Sequence, residues 1–321
     1  MPGMIVAPEP LAVEAGARVL MDGGNAIDAA VTTAFVQGIV NPQMCGLGGY
    51  ALLTLHLAGQ AEPILLDAPA TAGSRVRPDM WHDRVIGLSP DGWGYFLHGH
   101  VNDAGYQSIC TPGTVRGLAT ILQRWGTYSW EQAIAPAADL AEAGFMVDTH
   151  LANRWKQRRR YPESSSLLDL VEWNAEARRI YLHDGGRPYD DGETIQNPDY
   201  ARTLRHLARV GADDFYGGEL AARMAADLAA NDAFVTADDL AAYRVRDDAP
   251  TQGNYRGLRV VSSQPPHGGP TLIAILNILE GFDLAALGHN TPEYIYLVSM
   301  AMKAAFADRN RYLGDPAFVD V

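Results

Sequence analysis

Cys45 stands immediately before a glycine turn, Gly46-Leu47-Gly48-Gly49, and His98-Gly99-His100 sets two imidazoles two residues apart. A thiol beside a tight turn is a candidate nucleophile. Only the thiolate attacks, however, and nothing near Cys45 in sequence would lower its pKa, so it reads as a small buried thiol. On a strand, residues i and i+2 point to one side, so His98 and His100 could supply half of a metal site. No carboxylate or third histidine follows at ligand spacing, and no metal or other cofactor is expected. His267 lies in Gln264-Pro265-Pro266-His267-Gly268-Gly269-Pro270, a tight loop before a predicted helix Thr271–Glu280. That place suits either a polar residue lining a site near a helix N-terminus or a turn residue bonded to backbone. Asp308–Pro316 mixes both charges at a helix end and reads as a structural ion-pair cluster. No Gly-x-Ser-x-Gly elbow, Walker loop or His-Glu-x-x-His occurs. The glycine turn precedes a strand, whereas a phosphate cradle opens a helix. These residues are parts of a pocket without a nucleophile and its base.

The elements that would position them are mostly helices. Residues 11–22 form a helix closed by Gly23-Gly24, and Asn25 caps the next one, with Asp28 in its first turn. The buried stripe of that second helix is Ile27, Val31, Ala34, Phe35 and Ile39. Tyr50–Leu57 and Glu62–Asp67 read as strands around a turn at Gly59. Thr111-Pro112 predicts a helix start running to Gly126, and Ser129 with Gln132 predicts a capping box for a helix through Ala143, ended by Gly144. Asn197-Pro198, Thr291-Pro292 and Thr236-x-x-Asp239 are further helix starts. Residues 150–195 are polar and irregular, a mobile excursion rather than a boundary. The expected class is helix-rich α+β.

With 321 residues, 47% of them hydrophobic, the chain can fill one large core or two ordinary ones. A net charge of −13 argues against a general nucleic-acid or anionic-membrane binder. One basic run, Arg154–Arg160, reads as a solvated helix face. Two cysteines, Cys45 and Cys110, are too few for a disulfide framework. The N-terminus shows no basic region followed by a long apolar run, and no stretch is long and apolar enough to span a bilayer, so a cytoplasmic location is expected.

Ordered segments across nearly the whole length resemble one family. They are GMIVAPEPLAVEAGARVLMDGGNAIDAAV at 3–31, NPQMCGLGGYALL at 41–53, APATA at 68–72 and TPGTVRGL at 111–118. IAPAADLAEAGFMV at 134–147, FYGGELA at 215–221 and DLAAYRV at 239–245 follow. YRGLRVVSSQPPHGGPTLIAILNILEGFDL at 255–284 and MKAAFADRNRYLGDPAFVDV at 302–321 complete the series. Together they are similar to the large subunit of the γ-glutamyltransferases, N-terminal-nucleophile hydrolases with an αββα sandwich. The resemblance implies a single large-subunit domain over residues 1–321, completed by a small subunit cut from the same precursor, with a dimer of such heterodimers possible. It also implies that no residue of this chain is catalytic. The nucleophile would be the N-terminal threonine of the small subunit, its own α-amino group acting as base. The glycine turn 46–49 would then pack against that subunit's sheet.

One departure bears on specificity. Members acting on γ-glutamyl compounds carry an arginine before the Ala-Pro pair that grips the substrate's α-carboxylate. Here the segment is Pro63-Ile64-Leu65-Leu66-Asp67-Ala68-Pro69, and the arginine position falls on Leu65. Leucine cannot form the bidentate pair of guanidinium with carboxylate, a contact worth about 1.5–3 kcal/mol. Arg75 and Arg77 lie beyond the turn and read as surface charge or as a substitute anchor. Leu65, Asp67 and His267 are therefore the expected substrate-binding residues. The implied activity is hydrolysis of a small carboxylate-bearing amide, of oxamate or glutaryl type. A true γ-glutamyltransferase acting on glutathione and a noncatalytic scaffold of the same fold are the alternatives.

Overall fold

The computed structural model describes residues 3–92 and 94–321. Helices α1 (Pro10–Met21) and α2 (Ala26–Val40) lead to strands β1 (Ala51–Leu55) and β2 (Ile64–Ala68). A hairpin of β3 (Val85–Leu88) and β4 (Tyr95–Leu97) precedes α3 (Thr114–Trp125) and α4 (Trp130–Ala143). Next come β5 (Phe145–Met146), the short helices α5 (Thr149–Trp155), α6 (Leu167–Trp173) and α7 (Ala175–Tyr181), and β6 (Thr194–Ile195). Helices α8 (Pro198–Val210), α9 (Asp214–Gly217), α10 (Glu219–Ala230) and α11 (Ala237–Ala242) follow. The remaining elements are β7 (Arg246–Asp248), β8 (Thr251–Tyr255), β9 (Leu258–Ser262), α12 (Gly269–Glu280), α13 (Leu284–Leu287) and α14 (Pro292–Tyr312). The architecture is helix-rich α+β with small sheets. Contacts group its residues into two compact units, 1–51 with 68–245, and 52–67 with 246–321.

In the first unit α2 is buried over most of its surface and packs against α1, α3 and α4. Its start is fixed chemically. The Asn25 side chain accepts from the backbone N–H of Ile27 and Asp28, and Asp28 Oδ2 accepts from Asn25 N at 2.7 Å. Asp28 also accepts from Thr127 N, Thr127 Oγ1 and Tyr128 N, which ties the head of α2 to the α3–α4 loop. The capping boxes at Ser129 and Thr236 and the Asn197 cap are present as expected.

Three local expectations change. Thr111 does not open α3: it forms an antiparallel bridge with Thr71, so the chain is extended there and α3 begins at Thr114 with Gly113 as its cap. Residues 150–195 are not irregular, because Asp148, Ser166 and Asn174 cap α5, α6 and α7 through their side chains. The basic run is largely neutralised, with Lys156 on Asp190, Arg159 on Asp169 and Arg160 on Asp91.

In the second unit the sheet order is β1-β2-β7, and β2 and β7 are antiparallel. The β8–β9 hairpin turns through Arg256 and Gly257, both at positive φ, the backbone that a two-residue hairpin turn requires. The hairpin packs on α12 closely enough that a Cβ on Gly253 would lie 2.6 Å from Ile273 Cγ2. Helix α12 starts two residues before the expected Thr271, because Gly269 N donates to Ser263 Oγ at 3.1 Å. At the end of α14, Arg309 lies over the Phe306 ring and Arg311 over Tyr312, where an ion-pair cluster was expected. No helix among the described residues is long and apolar enough to cross a membrane.

Candidate functional site

The expected residues Asp67 and His267 meet in the second unit, around a third residue that the sequence did not single out. The β2–β7 register pairs Leu65 with Asp248, Leu66 with Asp247 and Asp67 with Arg246. Alternate residues of a strand share a face, and so do direct cross-strand partners, which places Leu65, Asp67, Arg246 and Asp248 together. Asp67 has no exposed surface. A carboxylate so placed is costly unless paired, and Arg246 Nη2 donates to its Oδ2 at 2.6 Å. His267 Nε2 lies 3.0 Å from the same oxygen. Arg246 Nε is 3.6 Å from Asp248 Oδ2, too far for a hydrogen bond. Asp67 Oδ1 and Arg246 Nε are buried with no hydrogen-bond partner. Burial disfavours the charged guanidinium of Arg246, but the hydrogen bond to Asp67 and the charges of Asp67, Asp248 and Asp315 outweigh it and raise its pKa.

Access to this cluster is uneven. Leu65 is 1% exposed and belongs to the interior of its unit. His267 and Arg246, with side chains 22% and 35% exposed, are the parts that open to solvent. Arg75 and Arg77 are exposed residues of the first unit, and Arg77 stands 3.7 Å from Asp79. The sequence signal for Arg246 was faint: the second of two arginines, Arg244 and Arg246, ahead of Asp247-Asp248, in a strand of three residues.

In the first unit the glycine turn is held by its own chain. A Cβ on Gly38 would lie 3.2 Å from Gly46 Cα, so α2 and the turn touch backbone to backbone. The Gly49 carbonyl accepts from Gly113 N at 2.8 Å and Thr114 N at 3.1 Å, which fixes the turn to the head of α3. Leu47 N donates to the Tyr200 hydroxyl at 3.2 Å, and burial pushes that phenol's pKa up. A Cβ on Gly48, by contrast, would meet nothing within 4 Å. Gly113 is clamped where Ala68-Pro69 turns: a Cβ there would collide with the Ala68 carbonyl, and the Tyr243 hydroxyl donates to Pro69 O at 2.7 Å.

Neither thiol is poised to attack. Cys45 is exposed rather than buried, and it lies beside a 380 Å³ cleft that Tyr181 and Tyr200 also line. Surrounding protein displaces water from its sulfur, and with the charge of Glu9 this raises its pKa; the first cause alone raises that of Cys110. His98 and His100 do not share a strand face, since they lie on a 3₁₀ turn in which Gly99 has φ +76° and His100 φ +52°. Among the described residues no three His, Cys, Asp or Glu side chains are grouped to hold a metal ion.

Residues 12–321 match the gamma-glutamyltranspeptidase family, and the chain belongs to it. It is 35% identical over 322 residues to an acylase ACY 1 proenzyme of Pseudomonas sp. (strain V22), covering 99% of this chain and 55% of that protein. To a glutathione hydrolase proenzyme of Pseudomonas sp. (strain A14) it is 34% identical over 319 residues, covering 99% and 52%. The Helicobacter pylori gamma-glutamyltranspeptidase structure superposes with a TM-score of 0.88 at 33% identity, covering 99% of this chain and 86% of that one. The fold is thus the family's N-terminal-nucleophile hydrolase fold, as the sequence led one to expect. The chain spans about half the length of the curated relatives it matches.

Proposed function

We propose that this chain is the large-subunit portion of an autoprocessed amidohydrolase. Its partner is a small subunit from the same precursor, whose N-terminal threonine forms the acyl-enzyme with a small carboxylate-bearing amide of oxamate or glutaryl type. One observation carries the specificity. Position 65 holds a buried leucine, and the guanidinium on the same sheet face is engaged by Asp67, with Asp248 close by. An α-carboxylate approaching there would meet a compensated ion pair instead of a free cation. Recognition of an acyl carboxylate falls instead to the open edge of His267. Apolar residues exposed on α12 and α14, among them Leu272, Ile278, Ile295, Tyr296 and Met300, support a large partner surface on the second unit.

The second reading is γ-glutamyl transfer, in which the partly exposed Arg246 would give up its pairing with Asp67 and serve as the anchor from the neighbouring strand. Steady-state kinetics of the complete protein on γ-glutamyl anilide, a glutaryl anilide and oxamate separate the two. The amidohydrolase reading expects kcat/KM for glutaryl anilide or oxamate to exceed that for γ-glutamyl anilide by at least about tenfold, a difference of about 1.4 kcal/mol. The opposite order establishes the transferase.

A further inference from the structure

We propose that His267 determines the choice of acyl group in a proton-dependent way: Asp67 holds the ring with Nδ1 outward, and only the protonated ring binds the acyl carboxylate. This inference rests on the amidohydrolase reading above and adds the atom that makes the contact and the charge it must carry.

The orientation of the ring follows from its bonding. Asp67 Oδ2 accepts from Arg246 Nη2 at 2.6 Å, and His267 Nε2 lies 3.0 Å from the same oxygen. A carboxylate oxygen paired with a guanidinium can only accept, so Nε2 carries the hydrogen and donates it. Nδ1 makes no hydrogen bond among the described residues, and it is not one of the buried polar atoms left without a partner. It is therefore the ring nitrogen with surface open to solvent. Asp67 has no exposed surface, so it acts through His267 as a positioning residue.

The surrounding charges decide what Nδ1 can hold. Asp67 and Arg246 compensate each other, and the other charges acting on Arg246, those of Asp248 and Asp315, are acidic. None of these groups offers a free cation. A neutral ring presents Nδ1 as a lone-pair acceptor, which a carboxylate cannot approach. A proton there adds a single positive charge to a pair that otherwise cancels, and it turns Nδ1 into a donor. The ring can then form a charge-assisted hydrogen bond to the acyl carboxylate while keeping its Nε2–H bond to Asp67.

Kinetics of the complete protein on glutaryl anilide and on its methyl ester, which has the same chain without the charge, test this. Oxamate and oxamide form the equivalent pair if the acyl group is the shorter one. Steps common to both substrates, including titration of the threonine amine, cancel in the ratio of their kcat/KM values. From about pH 6 to about pH 8 the ratio of charged to neutral substrate should fall about tenfold or more, as the protonated fraction of an imidazole falls. His267→Gln should have a low ratio that stays flat over the same range. Circular dichroism checks that the variant is folded; if it is not, His267→Asn takes its place with the same expectation. Nitrogen NMR of protein with isotope-labelled histidine reads the ring without any substrate. The His267 signal, identified by its loss in the variant, should show hydrogen on Nε2 of the neutral ring. A ratio independent of pH, a pH dependence that survives loss of His267, or hydrogen on Nδ1 of the neutral ring would each overturn the proposal and leave the amidohydrolase reading standing. Faster turnover of γ-glutamyl anilide than of either charged substrate at every pH would overturn that reading, and this inference with it.

Discussion

Asp67 and Arg246 are direct cross-strand partners joined by a 2.6 Å hydrogen bond, yet their burial is unequal: the carboxylate has no exposed surface and the guanidinium is about one-third exposed. Removing each should therefore have a different effect. Arg246→Met leaves a buried carboxylate with only His267 beside it and should cost about 3–5 kcal/mol. Asp67→Asn leaves a cation that can turn toward water and should cost about 1–2 kcal/mol. Urea unfolding of both variants at neutral pH reads the difference; equal losses for the two variants would contradict this account.

The Asp28 carboxylate predicts an acid transition. Burial alone would raise its pKa, but the hydrogen bonds from the Thr127 hydroxyl and the backbone N–H of Tyr128, Asn25 and Thr127 win, and the net shift is downward. A group whose pKa is lower folded than unfolded contributes fully above its unfolded value, and the contribution is lost as pH falls through the folded one. Stability should therefore drop below about pH 4, near the ordinary aspartate value. Asp28→Asn should cost about 1.5–3 kcal/mol at neutral pH and flatten that part of the profile. Thermal melts from pH 7 to pH 3 measure it, and an unchanged acid slope in the variant would remove Asp28 from the explanation.

Much of this was readable from sequence because it is local. A capping box such as Ser129 with Gln132 needs four residues and no tertiary context, and the stripe of α2 needs only its own periodicity. The segments that resemble the family located Leu65, Asp67 and His267 as well. What stayed hidden depends on long-range pairing. Arg246 becomes part of the cluster only through a register linking residues 179 apart in sequence. Thr111 is drawn out of its expected helix by Thr71, a partner far outside a helical turn of it.

Two glycines separate packing within this chain from packing against a partner. A Cβ on Gly113 meets backbone at Ala68 and the Tyr243 hydroxyl, neither of which can yield cheaply, so Gly113→Ala should destabilise the protein by about 2 kcal/mol or more. Gly48 has open space around it in this chain. Gly48→Ala should leave the stability of the isolated chain within about 0.5 kcal/mol. If the turn meets the small subunit, the same substitution should impair processing or activity of the complete protein. Normal activity in a Gly48→Ala precursor would rule out that contact.

Cys45 and Cys110 are exposed and their pKa values are raised, so neither is a thiolate at neutral pH. Replacing both with alanine should leave turnover of the complete enzyme within a factor of a few. A loss above about 10³-fold in folded enzyme, the scale of removing a catalytic group, would place covalent chemistry on this chain after all.

Leu65→Arg tests whether the sheet face at this position can be returned to carboxylate binding. The site is 1% exposed, so a guanidinium must be desolvated there, and its nearest acids are already placed: Asp248 directly across the strands and Asp67 two residues along. Capture by Asp248 is the expected outcome, because direct cross-strand pairs are the closest contacts on a sheet face. The variant should then lose several kcal/mol of stability, on the order of a buried charge with imperfect pairing, and gain nothing on γ-glutamyl anilide. Leu65→Met, which keeps the volume, should cost less than about 1.5 kcal/mol and serves as the control for repacking. Adding Asp248→Asn to Leu65→Arg removes the captor; a gain in γ-glutamyl binding in the double variant alone would show that the cation was present but neutralised. A single variant that folds like the parent and raises kcat/KM on γ-glutamyl anilide tenfold would mean that residue 65 faces the substrate in the complete enzyme, and that the interior position of Leu65 does not persist there.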